Sequence, residues 1–159
     1  MTNNEILRRI QEALVLGEDQ ISEVFRQSSL NLDPVSRAGL FLEAETTGHV
    51  PCPDTTLVAF LDGLIAVLRG VGDGPRRTLS SDVGALDNSD ILKKLRIALD
   101  MHHTDVVATL ARTGVNPTKT DLTAWFRKKG TSQYRPCSDA ALRAFLTGYR
   151  PPRRPRRGN

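Results

Sequence analysis

The chain has 159 residues, with 22 Lys+Arg against 18 Asp+Glu and a formal net charge of +4. That length fits one domain or two small ones, and 39% hydrophobic residues suffice for a core. Two cysteines cannot build a disulfide framework, and no run of about 18 apolar residues exists to span a membrane. The N-terminus, Met1-Thr2-Asn3-Asn4-Glu5, lacks the basic and apolar stretches of a secretory signal. A cytoplasmic protein is expected.

In chain order, the first helix is expected from Asn3 or Asn4, with Ile6, Leu7, Ile10, Ala13 and Leu14 on one apolar face. A short second helix turns Ile21, Val24 and Phe25 inward. Asp33-Pro34, a capping residue followed by proline, opens a third. The fourth starts at Pro53, with Asp54 in its first turn and Leu57, Phe60, Leu61 and Leu64 as its core stripe. Gly70-Val71-Gly72-Asp73-Gly74-Pro75 then breaks the helical pattern, so 70–87 reads as a linker. It lacks the Gly-Lys-Ser/Thr ending of a phosphate-binding loop.

The pattern then returns. With an offset of 85, residues 3–63 lie over 88–148 without a gap, and 16 of 61 positions are identical. The longest match is Pro-Cys-x-Asp-x-x-Leu-x-Ala-Phe-Leu-x-Gly, at 51–63 and 136–148. Ile91, Leu92, Leu95, Ala98 and Leu99 repeat the first stripe, and Val106 and Leu110 the second. A third helix is expected from Asn116-Pro117, with Trp125 and Phe126 inward. A fourth follows from Ser138, with Leu142, Phe145, Leu146 and Tyr149. The chain therefore reads as all-α, two tandem repeats of a four-helix unit packed with pseudo-twofold symmetry. Its divisions are 1–69, the linker 70–87, 88–149, and a disordered tail 150–159.

Three sets of residues in the second repeat resemble the YehS-like family of bacterial proteins. They are Asn88-Ser89-Asp90-Ile91-Leu92-Lys93-Lys94-Leu95-Arg96, Trp125-Phe126-Arg127-Lys128, and Cys137-x-Asp139-x-x-Leu142-x-x-Phe145-Leu146-x-Gly148. The resemblance covers about 3–149 and implies two tandem copies of one domain in a bacterial, cytoplasmic setting. The first repeat departs from it, with Leu40-Phe41-Leu42-Glu43 where Trp and a basic residue are usual. The resemblance carries no catalytic residue across.

No nucleophile–base pair or cofactor fingerprint appears, so neither an enzyme nor a cofactor is expected. His102 and His103 are adjacent and point apart; His49 has no partner set for a metal. Cys52 and Cys137 each precede a helix start, where a dipole can lower a thiol pKa. They are either a redox-sensing thiol pair or small residues packing a helix corner; packing is the stronger reading.

Charge is divided unevenly. Residues 1–86 hold 7 Lys+Arg and 12 Asp+Glu, and residues 87–159 hold 15 and 6. The excess collects at Lys119, Arg127, Lys128 and Lys129 around the third helix of the second repeat. It collects again at Arg150, Arg153, Arg154, Arg156 and Arg157 in the Pro-rich tail. Clustered arginines favour phosphate, which points to DNA or structured RNA held through the second repeat and tail. The alternative is a protein–protein adaptor using a groove between the copies. No lipid anchor or basic amphipathic helix accompanies the tail, so a membrane partner is not expected.

Overall fold

The computed structural model describes residues 1–28, 30–70 and 85–151; most of the linker and of the Arg/Pro tail lie outside the described residues. Eight α-helices are described, and no strand among the described residues. The first repeat holds α1 (Asn3–Leu14), α2 (Glu18–Gln27), α3 (Pro34–Gly39) and α4 (Asp54–Arg69). The second holds α5 (Asn88–Ala98), α6 (His103–Ala111), α7 (Lys119–Phe126) and α8 (Asp139–Gly148).

The duplication is clearest at the helix starts. The N-caps are Thr2, Gly17, Asp33 and Pro53, then Asp87, His102, Thr118 and Ser138, each pair 85 apart. Where a cap carries a suitable oxygen it accepts an orphan amide: Glu5 N–H donates to Thr2 Oγ1 at 3.1 Å, and Asp90 N–H to Asp87 Oδ1 at 3.0 Å. Asn3 and Asn88, expected as caps, are instead the first helical residues. Their side-chain amides reach across to the Asp54 and Asp139 carboxylates at 2.8 and 2.6 Å. The third helix of the second repeat starts at Lys119 rather than at Asn116-Pro117. There Thr118 and Asp121 close a capping box, each side chain meeting the other's amide, and Asn116 has no such return partner. Helix ends repeat as well. Val15 and Asp100 both adopt left-handed backbone, at φ 54° and 53°. The next amide donates back across the turn, Leu16 to Gln11 O and Met101 to Arg96 O, each at 3.0 Å.

Within each repeat the second helix lies on the fourth, α2 on α4 and α6 on α8. A glycine sets each approach. A Cβ on Gly63 would stand 2.1 Å from Val24 O, and one on Gly148 2.2 Å from Thr109 O. Between repeats, α4 lies along α5 and α1 along α8. Because α5 and α8 are the twins of α1 and α4, exchanging the repeats exchanges these two contacts, which is the pseudo-twofold relation. The core stripes of both repeats belong to one buried cluster, with Ile6, Leu7, Leu57 and Leu61 from one repeat and Leu92, Leu95, Leu142 and Leu146 from the other.

Polar groups lock the seam. Lys94 on α5, only 3% exposed, pairs with Asp62 on α4. The N-terminal ammonium meets Asp139 at 2.6 Å, holding that carboxyl below its usual range, with the Asn88 amide adding to it. Arg143 on α8 approaches Glu5 on α1 at 3.6 Å.

The two contact glycines give a prediction of sign. Gly→Ala inside an exposed helix stabilises by about 1 kcal/mol. At Gly63 or Gly148 the added methyl meets a neighbouring carbonyl, so each substitution should lower stability by about 1–3 kcal/mol. Urea unfolding of Gly63→Ala and Gly148→Ala checks this, and unchanged or raised midpoints would contradict the packing.

Candidate nucleic-acid interface

The basic residues expected from sequence do not form one surface. Lys129 is turned inward. Its ammonium lies 2.9 Å from Asp90 and 3.3 Å from Asp87 and also donates to Ala85 O. Burial opposes its charge, but the two carboxylates outweigh burial and hold its pKa above the ordinary value. Asp87 also accepts from the Tyr134 hydroxyl, and Lys93 stands 5.3 Å over the Tyr134 ring. Lys129 is thus a structural residue, fastening the loop after α7 to the start of α5. Arg150 is also elsewhere. It folds back onto the end of α8, donating to Thr147 O at 2.8 Å and Tyr149 O at 2.9 Å. Arg153, Arg154, Arg156 and Arg157 lie outside the described residues.

Lys119 and Arg127 do converge. With Arg135 they line an open cleft of about 630 Å³ between α7 and the loop 127–135. Thr120, Thr123, Ser132 and Gln133 supply polar walls, and Asp121 an acid. Asp121 is committed to the α7 cap: its hydrogen bonds with Thr118, helped by Arg135, hold its pKa low. Lys119, Arg127 and Lys128 are exposed and have no ion-pair partner among the described residues. Arg135 was not singled out from sequence as a binding residue. Its signal was its register: it stands 85 residues after Val50, an apolar residue.

The twin place in the first repeat is shut. A Cβ on Gly39 would stand 2.4 Å from Gly48 O and 2.6 Å from the Val50 side chain. Buried Asn4 clamps both edges, its amide donating to Leu40 O and Val50 O at 2.8 Å while its oxygen accepts from Cys52 N–H at 3.0 Å. In the second repeat Ser89 replaces Asn4; its short hydroxyl keeps the bond from Cys137 N–H, at 2.8 Å. Ala124 replaces Gly39, so a Cβ now stands between helix and loop. The loop is re-routed too. Its left-handed glycine is Gly48 (φ 90°) in the first repeat and Gly130 (φ 93°), three places earlier in register, in the second. The loop stays ordered, because Lys93 holds Arg127 O at 2.9 Å, as Arg8 holds Leu42 O in the twin.

Family comparison agrees with this two-part build. A family model described as "Protein of unknown function (DUF1456)" matches residues 3–70 and again 88–154. The chain belongs to this family. It is 28% identical over 153 residues to "Uncharacterized protein YehS" of Escherichia coli (strain K12), covering 93% of this chain and 94% of that protein. No solved structure matches. The family's two matched segments each contain one four-helix set.

Other candidate chemistry is absorbed by packing. Cys52 and Cys137 are buried free thiols. Burial, with Asp54 beside one and Asp139 beside the other, pushes their pKa values up to about 11 and about 12. A reactive thiolate needs the opposite shift. His103 stacks on Phe126 at 4.9 Å, and Arg96 covers that ring at 4.7 Å. Among the described residues no three His, Cys, Asp or Glu side chains gather as a metal site, and no helix is long and apolar enough to cross a membrane. Helix α7 packs on α5.

The thiols give a direct check. In the folded protein at pH 7.5 (about one unit below an ordinary thiol pKa), maleimide should label both cysteines far more slowly than in urea. Labelling of either at the denatured rate would mean that its burial is lost in solution.

Proposed function

We propose that this protein is a non-enzymatic, cytoplasmic accessory protein that binds nucleic acid, DNA or structured RNA, through its second repeat and arginine tail. The observation carrying this reading is the cleft lined by Lys119, Arg127 and Arg135, open in the basic repeat and closed in the acidic one. Guanidinium groups offer phosphate oxygens forked, charge-assisted hydrogen bonds. Among the described residues no base-reading element accompanies them: α7 has only eight residues and packs on α5. Contacts confined to phosphates give affinity and register with little sequence preference.

A second reading, a protein–protein adaptor, has its own observation. Between the ends of α1 and α8 lies a groove of about 450 Å³, lined in part by Val15, Leu146 and Tyr149, with Val15 74% exposed. On the twin side of the seam α4 runs to Arg69 and covers α5, whereas α8 stops at Gly148. Charge ranks this reading second: the groove mixes Arg9 and Arg150 with Glu12, and so favours no charged partner class.

Affinity for duplex DNA and for structured RNA should fall with salt. Four phosphate contacts from Arg153, Arg154, Arg156 and Arg157 give a log–log slope of about −2.8 to −3.6. Deleting 150–159 should remove most of that slope, while Arg127→Gln should flatten it by about 0.7–0.9 in the full chain. No binding of either nucleic acid at low salt would reject the proposal; a partner retained after nuclease treatment and tail deletion would favour the adaptor.

A further inference from the structure

We infer that the cleft between α7 and the loop 127–135 is a discrete phosphate site, at the place that the Asn4 clamp closes in the first repeat. The inference rests on the nucleic-acid reading only for the source of the phosphate. The cleft itself stands on geometry within this chain.

Three substitutions in register separate the closed place from the open one. Asn4 becomes Ser89, which keeps the bond from the turn amide and meets the Tyr134 hydroxyl but makes neither of the two carbonyl bonds of Asn4. Gly39 becomes Ala124, which puts a methyl where the loop carbonyl of Gly48 had approached. Val50, packed against Gly39, becomes Arg135, which is exposed on the cleft wall. Helix and loop stay joined in both repeats, Arg135 N–H donating to Ala124 O at 3.3 Å as Val50 N–H does to Gly39 O at 3.0 Å; the first two changes alter what packs around that bond, and the third places a cation on the cleft wall. A packing defect that merely lost its clamp would be expected to fill with apolar side chains or collapse. Here it is lined by two arginines, a lysine, two threonines, a serine and a glutamine, with Ala124 and one carboxylate, Asp121, which is engaged by the Thr118 cap. That is a donor set for an oxyanion.

The frame is rigid where it needs to be. Lys93 fixes the Arg127 carbonyl, and Lys129 anchors the loop to Asp87 and Asp90. The Arg127 side chain has no hydrogen-bond or ion-pair partner among the described residues and lines the same cleft as Arg135. The ligand is a phosphate group, whether free inorganic phosphate or the phosphate of a nucleic-acid end or backbone.

The test is a titration of the full chain with inorganic phosphate, and separately with a 5′-phosphorylated oligonucleotide and its unphosphorylated twin, followed by amide NMR shifts. The site predicts saturable shifts confined to residues 119–135. Replacing Arg127 and Arg135 together by Gln should weaken inorganic phosphate binding by about tenfold or more, while Arg37→Gln in the first repeat leaves it unchanged. Restoring the closed pattern with Ser89→Asn, Ala124→Gly and Arg135→Val should abolish those shifts without loss of helical circular dichroism. Equal affinity in the double Gln variant, or shifts centred on the first repeat, would overturn the site. Preference for the phosphorylated oligonucleotide over its twin assigns the source to a nucleic-acid end; equal binding of both assigns it to the backbone. The two proposals fail separately. Phosphate binding without nucleic-acid binding keeps the cleft and rejects the function. Nucleic-acid binding that survives the double variant and vanishes with the tail does the reverse.

Discussion

A buried side chain at the second residue of each repeat's first helix governs how the rest of that repeat closes. In the first repeat it is Asn4, whose amide and oxygen tie the end of α3, the following loop and the turn before α4 into one knot. In the second it is Ser89, fully buried and bonded to the turn before α8. Buried polar groups must be satisfied, so each side chain dictates where nearby backbone can run. Asn4 brings two carbonyls together; Ser89 holds the turn and meets the Tyr134 hydroxyl. This amide-to-hydroxyl difference is one of three that separate the sealed corner from the open cleft.

The fold around that corner is a duplication held by reciprocal packing. Each repeat offers its first and fourth helices to the other, and each alone would bury little for its size. The buried Lys94–Asp62 pair shows how the seam has diverged. Its register twins, Arg9 and Thr147, line the groove on the opposite side of the seam. A desolvated ion pair contributes modestly to net stability, but losing one partner leaves a buried charge. The pair therefore fixes register along the seam more than it adds strength.

Much of this was legible in the sequence. The offset of 85, the apolar stripes at helical spacing and the Pro-Cys-x-Asp turn gave eight helices in two sets, because burial periodicity is a local property. Helix starts were less legible. Asn3 and Asn88 look like caps, yet they serve as tethers to Asp54 and Asp139, because Thr2 and Asp87 stand one residue earlier with oxygens in reach. The site was legible only in part. Lys119 and Arg127 do face one cleft, but Lys129, equally basic in sequence, faces Asp87 and Asp90. Which cation turns outward depends on carboxylates some 40 residues away, which a local count of charge does not contain. Arg135 was hidden for the same reason, since its meaning comes from what Val50 does in the other repeat.

The two repeats thus differ at the same place in the fold: one is closed and acidic, the other open and basic. The most direct measurement is a crystal soaked in tungstate, an oxyanion of phosphate shape with strong anomalous scattering. An anomalous peak between Arg127 and Arg135, with none at the corner of Gly39 and Val50, is the predicted result. Peaks at neither corner, or at the first repeat's corner, would contradict the account.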